Sequence, residues 1–288
     1  MILSFQVEQD CLCRDLLRAQ QVSAGLAKAV KRAGGFFADG APVRTNERLR
    51  AGQTLSFALP PEPPGGAAPE DLPLTVLFEN EHAMVLVKPA GQTVHPTLGY
   101  AGGTLANAFA GLMARRGTPR PFRPINRLDR GTSGLVLCAM NAYAAPILAA
   151  GARKEYLALV QGAPMPPAGA WTEPIGLEDG SIIKRCCGPG GKPSRTEYET
   201  LCRGKDSSLL RCVTVTGRTH QIRVHAAFAG HPLLGDGLYG GSCAALERPA
   251  LHCQKITVRL PGEAAPRSFT CPPPLDMERL IFFNDMVK

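Results

Sequence analysis

Arg127, Leu128, Asp129 and Arg130 place one carboxylate between two guanidinium groups, followed by the turn Gly131-Thr132-Ser133-Gly134 and the apolar run Leu135–Leu137. A carboxylate attacks carbon or takes up a proton only in its charged form. Burial favours the neutral acid, whereas nearby guanidinium groups favour the anion. Such an acid is either part of a surface ion-pair cluster, the commoner and weaker arrangement, or a nucleophile or base held ready for chemistry.

Three other segments carry groups able to share that chemistry. Arg153–Val160 sets Tyr156 at the start of an apolar strand pattern. Gly217–His225 packs two arginines, two histidines and a glutamine into nine residues, a density that also suits a polar helix face. Gly230–Gly240 is a glycine-punctuated loop that contains Asp236. A carboxylate beside an anomeric carbon is also the apparatus of glycosidases, which use a second acid, and Glu155 and Asp236 are the candidates for that role. Ten cysteines are present, but none form a CxxC pair and their spacing matches no zinc pattern, so reduced thiols and no metal are expected.

The chain of 288 residues has a formal charge of +8, which points to a polyanionic partner. Residues 1–60 hold 8 Lys/Arg against 5 Asp/Glu and residues 73–288 hold 24 against 16, so most of the excess lies in the larger part. Within 115–130 six arginines (Arg115, Arg116, Arg120, Arg123, Arg127, Arg130) accompany a single acid, Asp129, a field that would draw phosphates. The opening stretch is broken by Glu8, Asp10, Arg14 and Asp15, and no apolar run reaches membrane-spanning length. The expectation is a soluble cytoplasmic protein with no membrane partner.

These groups must be held by secondary structure, and the pattern divides the chain in two. Residues 1–59 read as a small unit: a strand over Ile2–Val7, a helix through Leu12, Leu16 and Leu17, Ser23 as N-cap of a second helix, and a break at Gly34-Gly35. A hairpin turning at Asp39-Gly40 and a strand over Leu55–Leu59 complete it. Residues 60–72 form a Pro/Gly-rich linker. In residues 73–288 short strands recur (75–78, 84–87, 135–139, 156–160, 209–215, 255–259), with helices over 103–115, 141–152 and from near Thr219 to Gly230. Strands outnumber helices and do not alternate with them, which predicts an α+β fold on a mixed, largely antiparallel sheet.

In their order and spacing, five blocks closely resemble the RluA-type family of RNA pseudouridine synthases: Val87–Gly91 with Val94-His95-Pro96, Arg127–Gly134, Lys154–Tyr156, Lys192–Glu199 and Gly217–Gly240. The resemblance covers roughly residues 75–275, and residues 1–59 more weakly resemble the small RNA-binding module that often precedes this domain. It implies isomerisation of a uridine within structured ribosomal or transfer RNA without a cofactor, and nothing in the sequence demands more than a monomer. Asp129 corresponds to the essential aspartate, either nucleophile at the anomeric carbon or base on the ribose. Tyr156 corresponds to the tyrosine that stacks on the base, and Arg223 to the arginine that pairs with the aspartate. Arg127 corresponds to the residue that fills the gap left by the extruded base. Arg130, Arg218, His220 and Gln221 are further candidates for RNA contact, with Lys28, Lys31 and Arg32 spaced along one predicted helix of the small unit. Where the family usually has His, this chain has Asn126. An RNA-binding protein that has lost turnover is the alternative.

Overall fold

The computed structural model describes residues 1–283. The first unit consists of β1 (Ile2–Gln6), β2 (Cys11–Leu12), α1 (Cys13–Ala19), α2 (Ala24–Ala33), β3 (Phe36–Ala38), β4 (Ala41–Val43), β5 (Arg48–Leu49) and β6 (Thr54–Ala58). Its sheet runs β1-β6-β3-β4. The Ser23 hydroxyl accepts the Leu26 N–H at 3.2 Å, which starts α2 where the sequence predicts. Asp39 and Gly40, at φ of +48° and +83°, make the two-residue turn between β3 and β4. Leu3, Leu17, Leu26, Val30, Phe36 and Phe57 form a core of their own, closed on one side by Tyr143 of the larger unit.

The larger unit contains β7 (Thr75–Glu79), β8 (Ala83–Lys88), α3 (Leu105–Arg115), β9 (Ser133–Ala139), α4 (Ala144–Gly151), β10 (Arg153–Gln161), β11 (Ala168–Trp171), β12 (Ile175–Leu177) and β13 (Arg185–Cys187). It continues with β14 (Thr196–Arg203), β15 (Ser207–Thr214), α5 (Gln221–Phe228), β16 (Leu251–Val258), β17 (Arg267–Thr270) and α6 (Leu275–Phe283). The main sheet runs β11-β14-β15-β10-β16-β9-β8-β7, with β17 also on β16, and among the described residues only the β9–β16 pairing is parallel. Every residue of β9 is buried, which is why its sequence is an unbroken small and apolar run rather than an alternating one. At that pairing Gly134 has φ +116°, and a Cβ there would lie 2.3 Å from the Cys253 carbonyl oxygen, so only glycine lets the two strands close.

The fold agrees with the predicted α+β class, with differences in detail. The stretch 168–203 lacks a clear strand signal, yet it carries β11 to β14; β11 is Ala-Gly-Ala-Trp and β13 is Arg-Cys-Cys, too short and small to alternate, and each is held by its partner strand. Helix α6 is also unannounced by the sequence. The segment 60–72 does not hang free: Asn107 Nδ2 donates to the Ala68 carbonyl at 2.9 Å, and the Glu70 carboxylate accepts the Gly103 N–H at 3.0 Å. All ten cysteines are free thiols, with Cys138, Cys212 and Cys253 fully buried. Among the described residues no helix is long and apolar enough to cross a membrane.

Candidate active site

The loop bearing Asp129 is built as an extension of β9. The Ile125 N–H donates to the Leu137 carbonyl at 2.7 Å, and the Asn126 side chain then continues the ladder: its Oδ1 accepts the Leu137 N–H at 2.9 Å and its Nδ2 donates to the Leu135 carbonyl at 3.0 Å. The amide stands in for a backbone pair, so the main chain can leave the strand and carry Arg127–Asp129 outward while Leu128 stays buried. Both polar ends of Asn126 are engaged by β9, so the departure from the family pattern falls on a structural side chain. Asn126→Asp would set a carboxylate oxygen against the Leu135 carbonyl; a loss of about 2 kcal/mol is expected, read as a lower urea midpoint with unchanged slope.

The far side of the loop is held by Lys88, fully buried at the end of β8. Its Nζ donates to the carbonyls of Gln92 at 2.7 Å, Pro89 at 2.8 Å and Arg130 at 3.3 Å. Burial pushes the ammonium down to about 7, and the Asp129 charge opposes that shift. Three carbonyl acceptors match the three donors of the charged form. Lys88→Met strands these carbonyls, and about 2–4 kcal/mol of stability should be lost in equilibrium denaturation.

Asp129 is paired across the fold rather than with its neighbours in sequence. Arg223 Nη1 lies 3.3 Å from Asp129 Oδ2, whereas Nε and Nη2 of the same guanidinium make a fork to Asp236 at 2.7 and 2.8 Å. Arg223 and Asp236 are 7% and 1% exposed, so this bidentate pair is shielded from water and salt. These charge partners raise the guanidinium affinity for its proton against the opposing effect of burial. Neither candidate second acid of a glycosidase stands beside Asp129 on the cavity wall: Asp236 is engaged by Arg223, and Glu155 lies against Arg211 and Lys255 at 3.5 and 3.8 Å.

The remaining motif residues orient α5. Gln221 Nε2 donates to the Arg195 carbonyl and to Thr196 Oγ1, both at 3.0 Å, while Oε1 accepts from Thr216 Oγ1 at 2.7 Å and from the Arg218 N–H at 3.0 Å. Its amide is saturated, which corrects its assignment as an RNA contact: Gln221 is a clamp. His225 packs its ring nitrogens against Thr196 Oγ1 and the Glu173 carbonyl, each at 2.9 Å. The Lys192–Glu199 block thus positions the helix that carries Arg223. His220 sits just before α5 in the left-handed region at φ +57°, so the helix starts later than Thr219.

A cavity of about 550 Å³ opens between these elements, and its walls include Asp129, Tyr156, His220, Arg127, Arg130 and Arg218. Arg223 lies behind Asp129. Burial pushes the Tyr156 phenol well above its usual range, so the ring presents a neutral hydroxyl. The basic run is less open than its composition predicts. Arg115 pairs with Asp71, Arg116 with Glu79 and Arg123 with Glu62, and Arg120 donates to the Met140 carbonyl, which leaves Arg127 and Arg130 at the cavity. Lys28, Lys31 and Arg32 are exposed on α2, in the other unit. Asp236, weighed from sequence only as a second acid, is the fixed partner of Arg223, and Tyr239 in the same loop carries no sequence signal of its own.

A carboxylate on the wall of a cavity lined by Arg127, Arg130 and Arg218, with a tyrosine on the same wall, suits an enzyme acting on a nucleic acid. A family profile described as RNA pseudouridylate synthase matches residues 82–228. The chain is 33% identical over 269 residues to ribosomal large subunit pseudouridine synthase D of Xanthomonas campestris, covering 87% of this chain and 81% of that protein. It is likewise 33% identical to an uncharacterized RNA pseudouridine synthase of Bacillus subtilis, covering 90% of this chain and 94% of the relative. The structure of human RNA pseudouridylate synthase domain containing 1 superposes with a TM-score of 0.57 at 25% identity, covering 70% of this chain and 84% of that one. The chain belongs to the RNA pseudouridylate synthase family. It is an isomerase that converts uridine to pseudouridine in RNA.

Proposed function

We infer that the substrate is a uridine in ribosomal RNA and that Asp129 is the group that acts on its sugar, as nucleophile or base. The observation that carries this reading is the Asp129 carboxylate on the cavity wall, paired with an Arg223 that Asp236 fixes. Ribosomal RNA is favoured over transfer RNA because relatives from Xanthomonas campestris and Xylella fastidiosa are named for the large ribosomal subunit. The glycosidic bond to ring nitrogen 1 breaks, the uracil turns within the cavity, and carbon 5 bonds to the sugar; its proton then leaves. Tyr156 stacks on the base, and its neutral phenol is placed near the ring during that exchange. Arg127, exposed at the cavity mouth, occupies the place of the extruded base, because a stacked base must leave its helix before chemistry at a cost of a few kcal/mol. Arg130 and Arg218 meet phosphates near the cavity, and Lys28, Lys31 and Arg32 meet the backbone farther away. The protein acts in this reading as a cytoplasmic monomer.

Mapping pseudouridines across ribosomal and transfer RNA from cells with and without the protein tests the assignment. One or more large-subunit positions should lose the modification and regain it when purified protein is added. Loss confined to transfer RNA would overturn the ribosomal assignment.

A further inference from the structure

Beside the Asp129–Arg223–Asp236 ion pairs lies a second side-chain chain, whose Tyr239 ring packs against the Arg223 guanidinium, 5.0 Å from the ring centroid. The Tyr239 hydroxyl accepts the Arg185 N–H at 3.0 Å and lies 2.8 Å from His220 Nδ1. A phenol that already accepts one bond still has its own proton to place, and Nδ1 is the acceptor within reach. With Nδ1 as that acceptor, the tautomer is the one in which Nε2 carries the hydrogen. Burial also lowers the imidazole affinity for a second proton, although the Asp129 charge opposes this. His220 therefore presents a single N–H donor to the cavity.

That donor points toward Asp129 but does not reach it. The Nε2 to Oδ2 separation is 3.9 Å, beyond a hydrogen bond. Two groups this far apart can share one hydroxyl, whose oxygen sits about 2.8 Å from each, accepting from one and donating to the other. His220 accepts a positive φ of +57° in order to stand there, a conformation that costs free energy for a side chain of this kind.

We propose that His220 and Asp129 together grip the 2′-hydroxyl of the target uridine, with His220 Nε2–H donating to that oxygen and the hydroxyl donating to Asp129. The 2′-hydroxyl is attached to the carbon next to the anomeric carbon, so a carboxylate acting on the sugar meets it first. It is also the group that distinguishes RNA from DNA. His220 is in this view the residue that reads the sugar, Tyr239 is the positioning residue that sets its tautomer, and Asp129 is held at the correct distance by Arg223. The inference rests on the assignment of Asp129 to the sugar.

The test uses the full chain and a stem-loop oligoribonucleotide around a uridine found by the mapping above, made with uridine or with 2′-deoxyuridine at that position. His220→Asn removes the imidazole but tolerates the left-handed backbone, and Tyr239→Phe keeps the ring but removes the hydroxyl. The wild type should prefer the ribose substrate by about 10- to 100-fold in single-turnover rate. His220→Asn should lose about that factor on the ribose substrate and almost nothing further on the deoxy substrate. Tyr239→Phe should lose part of the preference. Where deoxy turnover is too slow to follow, the same comparison is made on the dissociation constants of the two oligomers. Equal ribose preference in wild type and His220→Asn, by either readout, would overturn the inference. Asp129→Asn, assayed alongside, separates the two readings: full turnover by that variant removes the assignment of Asp129 and this inference with it, whereas a dead Asp129→Asn with an unchanged His220→Asn preference removes the inference alone.

Discussion

Asp129→Asn should release no tritium from RNA labelled at uracil carbon 5, with residual turnover below about one percent of wild type, while RNA binding survives. The amide has nearly the same shape but neither attacks carbon nor takes up a proton at neutral pH. The scaffold should tolerate the change. Arg223 keeps its bidentate fork to Asp236, and the loop keeps Leu128, Asn126 and the Lys88 contacts to its carbonyls. Removing one negative charge from a cavity lined by Arg127, Arg130 and Arg218 leaves its attraction for phosphate at least as strong. Rate and affinity measured on one preparation check this, since a misfolded variant would lose both. Turnover above a percent or so with normal binding would remove Asp129 from the reaction.

Arg223→Lys should lower the rate by about 100-fold or more and also lower stability, by about 3 kcal/mol in equilibrium denaturation. The guanidinium serves two carboxylates at once, through Nε and Nη2 to Asp236 and through Nη1 to Asp129. An ammonium is a compact point charge on a flexible stem and cannot reproduce that fork. If it follows Asp236, which is 1% exposed, Asp129 loses its partner; if it follows Asp129, a buried carboxylate is left unpaired. Both outcomes are costly, which is why a change that keeps the charge is expected to be severe. A near-normal rate in Arg223→Lys would show that Asp129 needs only a nearby positive charge.

The small unit and the main strands were legible because local rules set them. Ser23 caps α2, Asp39-Gly40 turns β3 into β4, and the unbroken apolar run 135–139 is a strand buried along its whole length. Strands β11 to β13 are not legible, because three or four residues carry no period of their own and become strands only by pairing. The arginine run is less open than its composition predicts for a related reason. Acids that neutralise Arg115, Arg116 and Arg123 lie 37 to 61 positions away, and composition says nothing about which charges meet.

The sequence alone singles out the candidate reacting groups: Asp129, Tyr156 and Arg223 stand in blocks whose residue types and order carry the resemblance, and the family match bears out that resemblance. Sequence adjacency suggested Arg127 and Arg130 as partners of Asp129, but they flank it on a loop and line the cavity. It takes the folded chain to divide Arg223, 94 positions away, between Asp129 and Asp236, to engage both ends of the Gln221 amide, and to set Asn126 in place of a backbone pair. The physical reason is the same in each case. Ion pairs and side-chain hydrogen bonds act over a few ångströms in space, and distance along the chain does not determine which groups come that close.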